Sequence, residues 1–516
     1  MPTRRSLPIS ILLCLCISWN VNAQPSAKLP RSVPEAEGVS SGDIIKFLEA
    51  TAKGKTEFHS FMLLRHGKVI AEGWWNPYRP NLRHSLYSCS KSFTATAIGF
   101  AIQEKKISLS DKVVSFFPND LPDTVSKWLS ELTVKDVLMM SDGQEPDPTG
   151  RIITTDTNWI KGFLHTPILH EPGTQFLYNS MGTYMLSAII QKVTGQKTID
   201  YLKPRFFDPL GIQHIDWETD LHGINTGGWG LRLKTEDMAK FAELFLQKGK
   251  WNGKPIISPE WIEEASTMKI MQDPNAPQSK KDSSDWLQGY GYQMWRCRHN
   301  AYRGDGAFGQ FMIVMPEQDA ALAITAETPD MQEEINLVWK YLLPAFKDKP
   351  LPAHADAQLK LKKKIQSLAL PLAPKNSEPL SKNISHKIYV ASPNVLNIQH
   401  LLFDFSNEVC SMTIRINNTY HKINFGAGKW QHGETSLPGP ALGEAGMEDR
   451  SMLYPAKVEG SYSWKDRQTL QLMLRYIESP HSETFTCVFD GNKLSMQIAK
   501  SLDFGGKQVT VEAETE

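Results

Sequence analysis

Ser88-Cys89-Ser90-Lys91 is where this 516-residue chain pairs side-chain types at a spacing suited to covalent chemistry. Residues three apart share one face of a helix, so a lysine amine can reach a serine hydroxyl one turn back. Serine is a weak nucleophile until its proton is taken, and an amine takes it only when its pKa falls well below about 10.4. Burial pushes it that way. The stretch S-K-S-F-T-A-T-A-I-G-F-A-I-Q over 90–103 is apolar or small on nearly every side, which predicts a helix inside a domain. The spacing alone is not specific: Ser266-Thr-Met-Lys269 repeats it behind the amphipathic run P-E-W-I-E-E-A at 259–265, and that copy is an internal control.

Two more groups follow in order. Glu171-Pro-Gly-Thr-Gln-Phe-Leu-Tyr178-Asn179-Ser180 puts a phenol and two hydrogen-bonding side chains at the start of an apolar helix, a place for a second acid or base. Tyr302-Arg303-Gly304-Asp305-Gly306-Ala307-Phe308-Gly309-Gln310 leads straight into a strand. Glycines there let backbone approach a substrate and offer N–H groups to a developing oxyanion.

With S-x-x-K, then the tyrosine triplet, then a Gly-rich strand, the chain resembles the serine β-lactamase, DD-peptidase and esterase superfamily, in particular the class C β-lactamase-like serine hydrolases. Supporting stretches are Leu132–Gly143, Gly228–Asp237 and Gly306–Glu317, and the resemblance covers about residues 34–346. It implies an α/β fold, an antiparallel sheet flanked by helices with a helical subdomain. It also implies Ser88 as nucleophile, Lys91 as its partner and Tyr178 as proton shuttle, with no cofactor and no metal. Asn179, Ser180, Tyr302, Gly304, Asp305 and Gly306 become the candidates for holding substrate and oxyanion. Two departures matter. Ser180 stands where the tyrosine motif carries Asn, so either Ser180 or Asn179 takes the positioning role. Tyr302 or Ala301 stands where the strand motif carries Lys or His, so the cation that would hold a β-lactam or peptide carboxylate is missing unless Arg303 or Arg298 replaces it. Esterase or amidase activity on a small or peptide-like acyl substrate is therefore expected ahead of β-lactamase or D-amino-acid peptidase activity. A penicillin-binding sensor, acylated once without turnover, is the non-enzymatic alternative.

The elements that must position these groups are legible. S-F-M-L-L-R-H-G-K-V-I-A-E-G-W-W over 60–75 predicts a hairpin turning at His66-Gly67, and Gln310–Met315 with Ala321–Thr325 predicts a second hairpin that closes the same sheet. Residues 110–250 read as mainly helical, and 333–346 as a final helix. The region 350–384 reads as a linker or extended wrap, and 385–516 as a small all-β sandwich or barrel, expected mainly to pack. Trp74, Trp75, Trp229 and Tyr290 are candidate pocket residues. Gly38-Val-Ser40-Ser41-Gly42 matches G-x-S-x-G, but it lacks the preceding apolar strand and reads as a helix cap.

Composition bounds the rest. With 41% hydrophobic residues and 56 basic against 56 acidic side chains, disordered and fibrous classes are excluded, and no net attraction to nucleic acid exists. Arg4 and Arg5, an apolar run from Leu7 to Trp19 and Val21-Asn22-Ala23 predict a secretory signal over residues 1–23 and a periplasmic or extracellular address, with the hydrolase domain at 24–349. That run is short of the roughly 20 residues of a membrane span. Cys410 and Cys487 are expected either as a bridge or as two buried thiols.

Overall fold

The computed structural model describes residues 28–372, 381–437, 455–501 and 508–516. The expected signal at 1–23 lies outside them. Among the described residues, no helix is long and apolar enough to cross a membrane.

The first half of the molecule is built on an antiparallel sheet of six strands: β1 (Glu57–Arg65), β2 (Lys68–Trp74), β3 (Trp295–Arg296), β4 (Tyr302–Gly306), β5 (Gln310–Met315) and β6 (Ala320–Glu327), in the order β2-β1-β6-β5-β4-β3. The two sequence-predicted hairpins meet as β1 and β6, paired from Glu57↔Glu327 to Arg65↔Ala320. Both faces of the sheet are covered, which is why its strands read as continuous apolar runs. Met62, Leu64, Met312 and Val314 join the core shared with α2 (Ser90–Gln103), α3 (Ser180–Thr194) and α4 (Thr235–Leu246). Phe61, Leu63, Phe311 and Ile313 alternate to the opposite face and pack with α1 (Ser41–Thr51). Ser90 through Ala101 are all buried, so α2 runs through the interior. Ser40 caps α1, accepting the Gly42 N–H at 3.1 Å. The final helix begins at Met331, earlier than expected, and continues through a wider turn and a tighter one to Ala345.

The stretch 350–384 is more ordered than a linker: α5 (Ala355–Gln366) lies against α1, with Leu361 buried. Beyond it, β7 (Ile388–Ala391), β8 (Ile398–Ser406), β9 (Val409–Ile416), β10 (Thr419–Ala427), β11 (Gln431–Thr435), β12 (Ala456–Trp464), β13 (Thr469–Tyr476), β14 (Ser482–Asp490), β15 (Lys493–Lys500) and β16 (Val509–Thr515) form one sheet. Parallel pairing of β10 with β12, at Gly426↔Ser461, closes nine of these strands into a barrel, and β11 is an extra strand on β12. Of the two architectures expected, the barrel is the one found. Its interior is filled by Tyr389, Phe403, Trp464, Phe489 and other apolar side chains. Cys410 and Cys487 are buried thiols in that core, with no bond between them. They sit on β9 and β14, which are not neighbours in the barrel.

Candidate active site

Ser88 lies half-buried in a tight turn, Tyr87–Cys89, that runs into α2. Lys91, in the first turn of α2, is 2% exposed. Its Nζ reaches Ser88 Oγ at 3.0 Å, Ser180 Oγ at 2.9 Å and the Gly228 carbonyl oxygen at 2.8 Å. Gly228 has to be glycine: a Cβ there would sit 3.3 Å from Nζ and 2.9 Å from the Ser180 carbonyl. Burial depresses the Lys91 pKa from 10.5 to about 7, although Asp147 and Asp305 pull the other way.

That shift makes the three contacts decisive. A neutral amine has two hydrogens and one lone pair. The Gly228 carbonyl can only accept, and Ser180 Oγ can take the second hydrogen, which leaves the lone pair for the Ser88 hydroxyl proton.

Tyr178 stands on the other side of Lys91, with its ring centroid 4.9 Å from Nζ. Its phenol hydrogen-bonds to the Ser88 side chain, and burial lifts its pKa well above the ordinary phenol value despite that bond. It therefore remains a proton donor at neutral pH. The ring stacks on Trp295 at 5.8 Å, and Phe176 and Tyr290 complete an aromatic block behind it. Trp295 carries no motif, so sequence reasoning had no handle on it.

Between Asn179 and Ser180 the structure gives different tasks. Asn179 is fully buried and caps α3, accepting the N–H groups of Met181 at 2.9 Å and Gly182 at 3.1 Å. Ser180 is the one that faces Lys91. In β4, Arg303 and Asp305 project to one face, and Gly304 and Gly306 to the other. A Cβ on Gly304 would lie 3.0 Å from Ser92 Oγ, and one on Gly306 would lie 2.1 Å from the Leu86 carbonyl and 3.2 Å from the Cys89 nitrogen. β4 is therefore pressed against the turn that carries Ser88. β3 pairs only with Tyr302 and Arg303, so no strand among the described residues covers that edge of Gly304–Gly306.

Tyr302 does not reach the cleft, contrary to expectation. It shares the face of Gly304 and Gly306 but, at the start of the strand, is buried in the main core, with its ring 5.8 Å from the Arg296 guanidinium. Ala301 is fully buried in the core on the opposite face. Neither arginine supplies the missing cation. Arg303 is fully buried over the Trp286 ring and donates to Asp305 at 2.8 Å, the Asp285 carbonyl at 2.9 Å and Cys297 Sγ at 3.0 Å. Arg298 is held by Asp285 at 2.7 Å. Trp75 and Trp229 are buried in the core and Trp74 packs against it; Tyr290 belongs to the block behind Tyr178. At the control copy, Lys269 pairs with Glu264 at 2.8 Å and the nearly buried Ser266 ends its helix.

A buried amine and a phenol around one serine at the head of a buried helix are the arrangement of an S-x-x-K serine hydrolase. The chain belongs to the Beta-lactamase family, whose model matches residues 49–343, more than half of its length. It is 26% identical over 293 residues to the 6-aminohexanoate-dimer hydrolase of Paenarthrobacter ureafaciens, a match spanning 52% of this chain and 73% of that protein. It is 25% identical over 179 residues to Protein flp of Staphylococcus aureus (strain MW2), spanning 32% of this chain and 36% of flp, so it covers about a third of the latter's length. Among solved structures, the "Putative 6-aminohexanoate-dimer hydrolase from Bacillus anthracis" superposes with a TM-score of 0.53 at 19% identity, covering 64% of this chain and 90% of that one.

Proposed function

We propose that the protein hydrolyses an ester or amide through an acyl-enzyme on Ser88, and that the signal over residues 1–23 exports it to the periplasm or beyond. The observation that carries this reading is the Lys91 amine, depressed to about 7 and 3.0 Å from Ser88 Oγ. Lys91 accepts the Ser88 proton as Oγ attacks the acyl carbonyl. The ammonium so formed lies over the Tyr178 ring, a contact worth about 0.5–2 kcal/mol that is absent in the ground state, so it favours the transition state selectively. Backbone N–H groups of Ser88 and of the Gly304–Gly306 edge receive the oxyanion, each typically worth about 10²–10³ in rate. Tyr178 delivers a proton to the departing alcohol or amine and is refilled from Lys91. Water then attacks the acyl-enzyme along the reverse route and releases the acid.

Neither Arg303 on β4 nor Arg298 in the turn before it is free to meet a substrate carboxylate, since both are engaged, by Asp305 and Asp285 respectively. This supports uncharged or amine-bearing acyl groups over β-lactams. Fluorophosphonate labelling followed by a panel of short acyl 4-nitrophenyl esters, D-amino-acid amides and a chromogenic cephalosporin tests the reading. Label on Ser88 with many turnovers of an ester or amide is expected, and a single burst without turnover would replace hydrolysis by sensing.

Gly306→Ala is expected to lower kcat/KM by about 100-fold with the fold intact by circular dichroism. The added methyl must move off the Leu86 carbonyl, and displacements of about 1 Å cost about that much. An active Gly306→Ala enzyme would show that β4 does not set the nucleophile's position.

A further inference from the structure

The connection between β13 and β14, residues 477–481, leaves the barrel and enters the hydrolase domain. Ile477 is fully buried in the core cluster on the α1 side of the six-stranded sheet. The Glu478 carbonyl accepts Ser85 N–H at 3.0 Å, and the Ser479 carbonyl accepts the Tyr78 hydroxyl at 3.0 Å. The last residue of this connection is His481, fully buried, and its carbonyl accepts the Tyr476 N–H at 3.1 Å. Its Nδ1 is 2.7 Å from Glu327, the last residue of β6, and its Nε2 meets the Tyr87 hydroxyl. Its ring also stands edge-on to Phe308, with centroids 5.0 Å apart, and to Tyr87 at 5.7 Å.

Two of the residues that His481 touches flank the reaction centre. Tyr87 immediately precedes Ser88. Phe308 lies in the connection that follows Gly306, and the two rings are 5.3 Å apart. Both hold left-handed backbone, φ 47° at Tyr87 and φ 68° at Phe308, a conformation that costs a non-glycine residue about 1–2 kcal/mol and persists only where the surroundings enforce it. Burial keeps the Tyr87 phenol protonated, so it donates to Nε2, and Nδ1–H then donates to Glu327. One imidazole thus ties the end of β6 to the turn that aims the nucleophile.

We propose that His481 of the barrel is a positioning residue for Ser88, locking Tyr87 and Phe308 in the left-handed conformations that set the nucleophile against Lys91 and against the Gly304–Gly306 edge. The inference rests on the acyl-enzyme reading above and adds to it that the barrel is a working part of the hydrolase site.

The test uses the full chain and measures kcat and KM for a 4-nitrophenyl ester, the rate of fluorophosphonate labelling at Ser88, and thermal unfolding. His481→Ala is expected to lower kcat and the labelling rate about 10- to 100-fold, with KM changed less than about threefold. His481→Gln, which retains an acceptor for the Tyr87 hydroxyl, is expected to recover most of that loss. Arg79→Ala removes a different barrel contact, the 2.9 Å pair with Glu459, and is expected to leave both rates unchanged. Rates within about twofold of wild type in a folded His481→Ala protein would overturn the proposal, as would an equal fall in Arg79→Ala. If His481→Ala does not fold, Tyr87→Phe decides: loss of one oxygen should slow labelling, and an unchanged rate would again overturn it. Absence of Ser88 labelling in the unmutated protein would instead defeat the acyl-enzyme reading, and this inference with it.

Discussion

Ser88→Ala is expected to lower kcat for a 4-nitrophenyl ester by about 10⁴-fold or more and to abolish fluorophosphonate labelling, whereas Ser266→Ala leaves both within about twofold. The size follows from what the hydroxyl does. Without Oγ no acyl-enzyme forms, and only binding and the oxyanion donors continue to act on an attacking water; such remnants leave about 10³–10⁴ over solution, far below the intact machinery. The contrast between the two serines is purely environmental, since both begin S-x-x-K. Ser88 opens a buried helix and has an amine with nowhere else to send its lone pair. Ser266 closes a surface helix, and its lysine is paired with Glu264. More than about a hundredth of the wild-type rate in folded Ser88→Ala would remove this serine from the chemistry.

The parts of this molecule that were readable in the sequence are those specified locally. Helix α2 announced itself because every face of it is buried, and β1, β5 and β6 because both sides of the sheet are covered, so their runs are unbroken. Ser88 and Lys91 were legible for the same reason: one turn of helix fixes their relation. Between Ser180 and Asn179, however, sequence could not choose, because the choice depends on which side chain caps α3 and which faces another helix. Tyr302 was misplaced for a related cause. It shares the face of Gly304 and Gly306, and whether a side chain at the start of β4 enters the cleft or the core depends on what packs over that end of the strand.

The barrel shows the same division. Strands with alternating apolar residues, such as β13 and β14, carry the all-β reading of 385–516. In β12 the chain reads A-K-V-E-G-S-Y-S-W, and its Glu459, Ser461 and Ser463 are nonetheless buried. Glu459 is engaged by Arg79 of the hydrolase domain, and the edge of β12 is shared by β10 and β11. Tertiary contacts stabilise polar residues there that propensity alone would have left in a loop. β10 and β12 close the barrel, which is why the sequence could not separate barrel from sandwich. His481 was silent for a similar reason, since its partners Tyr87, Phe308 and Glu327 come from far earlier in the chain.

Lys91 is expected to give the second large effect, and a pH signature with a definite sign. Only the neutral amine accepts the Ser88 proton, so kcat/KM should rise with pH, level off above about 7, and fall about tenfold per unit well below it. Lys91→Met keeps the length and loses the base, so a loss of about 10²–10⁴ is expected and the pH limb should vanish. Lys91→Arg should rescue nothing, because a guanidinium does not deprotonate. The same depressed pKa also affects stability. Between about 7 and 10.5 the unfolded chain binds a proton at Lys91 that the folded chain does not, so wild-type stability rises with pH across that window, and the cost of burying the charge is fully present below it. A shift from 10.5 to about 7 corresponds to a few kcal/mol. Lys91→Met has no such charge, so its melting temperature relative to wild type should be highest below pH 7 and decline toward pH 10. A difference that stays flat over that range would mean the amine titrates normally in the folded protein, and Ser88 would then have no base beside it at neutral pH.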